Sequence, residues 1–243
     1  LIGDGVSSYE AGEVWHLLDT RIHMPITKIQ MRSFRSASLD KYTTLVMVSG
    51  GYPQLDSIQQ KKLKDWVSKG NTLITIASAS RWLISKKLVK ESLTKKPKAK
   101  DKEKKETKRL PYVDAGENIG RERVGGAIFE VDLDITHPLG FGYHDGIIPV
   151  YKNNMVFLQP SKNAYSTVAK YSKNPHIDGF VSTNNLENNI KPSASLLVSP
   201  IGRGRVVMFA DNPNFRGAWY GTNRLFLNAL FLGNRISVPK GGN

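Results

Sequence analysis

Two short runs, TTLVMVSGG (residues 43–51) and NTLITIA (71–77), are apolar or β-branched throughout rather than at every second position. A strand that reads this way must be covered on both faces, the situation of a strand inside a parallel sheet with helices above and below. The stretch between them supplies one such cover. In LDSIQQKKLKDWVSKG (55–70), Leu55, Ile58, Leu63, Trp66 and Val67 fall on one helical stripe, lysines occupy the rest, and Gly70 stands where a helix ends.

The neighbouring segments extend the alternation. LIGDGV reads as the end of a buried strand running into a Gly-rich turn, and Ser7 with Glu10 three residues on makes a capping box for a helix carrying Val14, Leu17 and Leu18. TKIQMRSF (27–34) reads as a second strand, and SASRWLISKKL (78–88) opens another helix. Further on, VGGAIFEVDLD, GIIPVYKNNMVFLQP, AYSTVAKYS and DGFVS read as shorter strands separated by Asn, Gly and Pro turns, an antiparallel section over about 123–185. The chain closes with a hairpin at Gly202 and Gly204 and a helix from Trp219 to Phe231 that places Leu225, Phe226, Ala229 and Leu230 on one face. The expected architecture is α/β and flavodoxin-like: one domain over residues 1–238, a mostly parallel sheet with helices on both faces, an antiparallel β section in the second half, and a short tail at 239–243. Without an initiator Met or signal peptide at its start, the sequence reads as a segment of a longer chain, with any targeting sequence upstream.

Charge is concentrated in one place. Lysine and arginine number 35 against 21 acids, a net +14, and between Lys86 and Arg109 eleven lysines and one arginine face only four acids. From Glu91 to Lys108 there is scarcely an apolar residue to offset the entropy cost of folding, so 86–110 reads as a solvated, flexible insertion or a charged helix extension. It has no aromatic residue to stack on a base and little arginine, which argues against nucleic acid; contact with a membrane surface or with a neighbouring domain is the reading left open. The absence of cysteine excludes disulfides, thiolate zinc sites and cysteine nucleophiles.

In an open parallel sheet, ligands bind beyond the carboxyl ends of the strands. Those ends supply Asp4 and Ser7; Ser49, Gly50, Gly51 and Tyr52; Ala77 and Ser78; and Asp211, Asn212 and Arg216. Together they form a candidate cleft for a polar ligand, although Asp and Asn at such edges are commonly turn and cap formers. Trp15, Trp66, Trp82 and Trp219 read as core residues on helices facing the sheet, with Trp219 and Tyr220 beside Arg216 at the carboxyl edge.

The order of elements, the strand ending in SGG and the string GNTLITIASAS resemble the class I glutamine amidotransferase-like fold. In that family the corresponding strand ends in a nucleophile elbow of the form G-x-C-x-G. Laid on this chain, the elbow cysteine falls on Ala77 and the second glycine on Ala79, with Ser78 one place along and no His-x-Glu pair near the end of the chain. The resemblance thus implies a catalytically dead branch. The strings GDGVSSYEAGEVWHLLDTR, KLKDWVSKGNTLI and GRGRVVMFADNPNFRGAWYGTNRLFLNALFLG are similar to the carboxyl-terminal domain of large Bacteroidetes zinc carboxypeptidases. That resemblance implies a secreted or periplasmic metallopeptidase as the parent chain, whose upstream catalytic domain would be this domain's partner and would hold the zinc. No cofactor is expected in this segment. Of His16, His23, His137, His144 and His176, none has Glu three residues on, and His16 with Asp19 comes nearest to a ligand spacing. The expected function is that of a non-catalytic accessory domain; the alternative is a peptide- or sugar-binding domain, or a degenerate hydrolase, using the cleft.

Overall fold

The computed structural model describes residues 1–94 and 109–239, and the lysine-rich 95–108 lies outside the described residues. In chain order the elements are α1 (Ser8–His16), β1 (Thr44–Met47), α2 (Ser57–Ser68), β2 (Thr72–Ile76), α3 (Ser78–Ser85), α4 (Ala115–Arg121), β3 (Ala127–Leu133), β4 (Ile147–Lys152), β5 (Thr167–Gly179), α5 (Thr183–Asn185), β6 (Ala194–Ile201), β7 (Gly204–Phe209) and α6 (Tyr220–Leu232).

The strands form one sheet in the order β1-β2-β7-β6-β5-β3-β4. β1, β2 and β7 pair in parallel, and every later pairing is antiparallel, so β5 and β4 run with β1 while β6 and β3 run against it. Five of the seven strands therefore point the same way. Strand alternation sends Leu73, Val206 and Met208 to one face, where Leu63, Trp66 and Val67 of α2 and Trp82 and Leu83 of α3 cover them. It sends Ile74, Ile76, Val207 and Phe209 to the other face, under Val14 of α1, Leu18 of the helical turn that follows it, and Phe226 and Ala229 of α6. The continuous apolar runs of β1 and β2 are thus explained by two covered faces.

Several local expectations are corrected. The opening strand and the strand at 27–34 shrink to a single parallel bridge, Ile2 with Gln30, after which the chain turns through Met31–Ser33 so that Met31 and Phe34 are buried. DGFVS is not a strand of its own: Asp178 and Gly179 finish β5, and Ser182 caps α5, accepting from Asn185 N at 3.2 Å. Ile58 sits in the first turn of α2 beside the cap Asp56 and is 64% exposed, off the buried stripe. Trp15 is 45% exposed, with the Lys28 ammonium 4.4 Å above its ring. At the start of the expected insertion, Val89 is buried and Leu93 bridges Leu158, which ties 89–94 to the sheet. Helices α4 and α5 were not foreseen.

Candidate functional site

The carboxyl ends of β1, β2 and β7 lie side by side, and hydrogen bonds knit their loops to α1. Beyond β1, Ser49 O accepts from Ser7 N at 2.7 Å, and Ser49 N donates to the Glu10 carboxylate at 2.7 Å. Only half of the expected capping box forms: Ser7 Oγ accepts from Glu10 N at 3.3 Å, while the Glu10 side chain goes to the sheet edge instead of back to Ser7. Burial raises the Glu10 pKa above its ordinary value, partly offset by the Ser49 hydrogen bond and reinforced by the nearby charge of Glu13. Gly50 is required by close approach, since a Cβ there would stand 2.6 Å from Gly5 O. Gly51 N donates to Gly5 O at 2.8 Å, which sets exposed Asp4 beside this loop.

β2 passes into α3 through one residue. Ala77 has φ 48° and ψ −114°, is 2% exposed, and donates its N–H to Phe209 O of β7 at 2.9 Å. A non-glycine residue held in this region costs about 1–3 kcal/mol and persists only where its surroundings fix it. A sharp, strained strand-to-helix turn is the backbone of a nucleophile elbow, and in such an elbow the N–H of the next residue stabilises the oxyanion. Here the next residue is Ser78. Its N–H is directed to Ser49 Oγ at 3.4 Å, and its own Oγ accepts from Gly50 N at 2.9 Å. The turn is thus sharp and strained, its residue carries only a methyl group, and two serine hydroxyls occupy the adjoining amides.

Beyond β7, Asn212 Nδ2 donates to Glu13 Oε2 at 2.5 Å, and Arg216 N to Glu13 Oε1 at 2.6 Å. Glu13 therefore spans the gap between α1 and the β7 loop, and like Glu10 it was not foreseen as a site residue.

Two expected cleft residues lie elsewhere. Tyr52 is 1% exposed and packs against Trp82 with ring centroids 5.4 Å apart; its hydroxyl donates to Val48 O, and burial raises its pKa. Asp211 points into the core. It pairs with Lys152 at 3.0 Å, and accepts from the Tyr171 hydroxyl at 2.8 and 2.9 Å and from Ser195 Oγ at 2.7 Å. Lys152 is fully buried at the end of β4 and also donates to Val156 O at 2.7 Å. Burial lowers the pKa of its ammonium and the charge of Asp211 opposes that shift; burial likewise raises Tyr171. Sequence reasoning missed Lys152, although it stands in phase with buried Ile148 and Val150. Asp4, Ser7, Gly50, Gly51, Ser78, Asn212 and Arg216 remain along the loop edge around Ala77.

His137 Nδ1 accepts from Leu139 N at 3.1 Å and His176 Nε2 bonds Gly179 O at 2.7 Å. Among the described residues, no three His, Cys, Asp or Glu side chains converge as a metal-binding set.

The sequence matches no known family profile and no curated protein. Solved structures do match. A ThuA-like protein from Parabacteroides merdae superposes with a TM-score of 0.57 at 12% identity, over 98% of this chain and 88% of its own. PurLQS from Thermotoga maritima gives 0.55 at 14% identity, over 94% of each chain. A GMP synthase protein from Thermoplasma acidophilum gives 0.53 at 12% identity, over 93% of this chain and 88% of its own. At such identities the likeness shows the fold alone, and the fold it shows is the amidotransferase-like α/β architecture expected from the sequence.

Proposed function

We propose that this chain is a non-catalytic accessory domain, an amidotransferase-like scaffold that serves the stability, docking or substrate presentation of a zinc carboxypeptidase. The observation that carries the non-catalytic part is Ala77: a strained elbow with a methyl group in place of a nucleophile and with the following amide engaged by Ser49. An elbow without a nucleophile and a partnered base has no route to a covalent intermediate. The peptidase parent, its zinc and its secretion or periplasmic location rest on the sequence strings quoted above. In this reading the upstream catalytic domain supplies the chemistry and this domain supplies a folded surface. The isolated chain is expected to release no carboxyl-terminal amino acid from peptides. Release above the buffer blank that a chelator abolishes would overturn the reading.

One observation favours a second reading, a small polar ligand at the sheet edge. The side-chain amide of Asn214, in the loop after β7, is 1% exposed and neither its nitrogen nor its oxygen has a partner among the described residues. Buried polar groups are rarely left so. A panel of sugars, peptides and amino acids separates the two readings, because a ligand at 100 times its Kd adds about 2.7 kcal/mol of stability and a corresponding rise in Tm.

A further inference from the structure

Leu1 and Ile2 run between two backbone edges. On one side Leu1 N donates to Val46 O of β1 at 2.7 Å. On the other, Ile2 N donates to Ile29 O at 3.0 Å and Met31 N to Ile2 O at 2.8 Å, a parallel bridge. Followed against the chain direction, the same two edges face each other across a cavity of about 440 Å³, with Ile26–Ile29 on one side and Thr43–Val46 on the other.

Both edges are built to pair. Thr43 O accepts from Thr72 N of β2 at 3.0 Å, so the alternation of a parallel strand turns the N–H and C=O of Thr44 and Val46 toward the cavity. Met24–Ile29 carries no helix or turn, and Thr27 O and Ile29 N bond no backbone group among the described residues. The floor is apolar, formed by Val14 of α1, Leu18 of the helical turn that follows it, and Leu230 and Phe231 of α6. A compact ligand could fill the volume but could not satisfy two parallel rows of N–H and C=O groups. An extended peptide does both.

We propose that this cavity is the seat of one more β-strand, an apolar segment of about four residues at about 3.3 Å each, running parallel to β1 and entering the ladder directly ahead of Leu1. Its last residue bonds Ile29 N–H and Thr27 O, and the one before bonds Val46 N–H and Thr44 O. With it in place, 26–30 becomes a strand and the sheet continues beyond β1.

The test compares three versions of the chain: beginning at Leu1, preceded by Thr-Val-Ile-Val, and preceded by Gly-Ser-Gly-Ser. The β-forming extension is expected to slow hydrogen exchange at the Ile29 and Val46 amides by about tenfold or more and to raise Tm by roughly 4 °C, while the Gly-Ser extension does neither. Equal exchange in all three versions overturns the proposal. Protection in the unextended chain that grows with protein concentration also overturns it, because a second copy would then occupy the groove.

Discussion

Replacing Lys152 with Met is expected to destabilise the protein by about 3–5 kcal/mol, the usual cost of removing one partner from a buried ion pair. The Lys152 side chain is 0% exposed and that of Asp211 6%, so water cannot stand in for the lost ammonium. The carboxylate would keep only the hydroxyls of Tyr171 and Ser195 as donors. Replacing both residues, Lys152→Met with Asp211→Leu, should recover much of the loss, because a buried pair exchanged for apolar residues of similar volume is often close to neutral. Recovery should be incomplete, since the Tyr171 and Ser195 hydroxyls then lose their acceptor. Urea denaturation of the parent and the two variants at neutral pH measures this. A single-variant loss under about 1 kcal/mol would show that the ammonium is not held by Asp211.

The second large effect is expected at the hairpin. Gly204 begins β7, and a Cβ there would overlap Val67 O and stand 2.5 Å from Asn71 O, both backbone atoms. Neither can rotate away, so Gly204→Ala must push β7 from the end of α2 and from the turn leading into β2. Overpacking of this kind costs about 1–3 kcal/mol and occasionally more, and two backbone obstacles place Gly204→Ala at about 3. Gly51→Ala is the control, because its Cβ would meet nothing within 4 Å. Its stability should lie within about 0.5 kcal/mol of the parent. A comparable loss at both positions would contradict the packing of β7 against α2.

The parts of the fold legible in the sequence are those whose burial is set by their own element. β1 and β2 lie under helices on both faces, so their residues are apolar or β-branched throughout, and α2 needs one stripe to cover them. Ala77 comes to notice through the resemblance of GNTLITIASAS to the family's strand-to-helix turn, and in the structure the chain passes from β2 to α3 at that residue. What escapes is set by distant partners. Glu10 satisfies the local spacing of a capping box, yet its carboxylate is taken by Ser49 N, 39 residues away. Asp211 and Tyr52 have the composition of edge loops, and only the arrival of Lys152 from β4 and Trp82 from α3 makes them interior. Lys152 looks like the end of a strand because a lysine in an apolar run suggests solvent; its phase with Ile148 and Val150 is the available signal. The opening strands read longer in the sequence than they are because they pair only through isolated bridges, Ile2 with Gln30 and Val6 with Gly50.

Glutamine hydrolysis, measured as ammonia released by the unmodified chain and by Ala77→Cys, bears most directly on the scaffold reading. Both are expected to release no ammonia above the buffer blank. The unmodified chain has no nucleophile at the elbow, and the cysteine variant would gain a thiol without an activating base while the adjoining amide stays with Ser49. Sustained, glutamine-dependent release of ammonia by the unmodified chain would contradict the account.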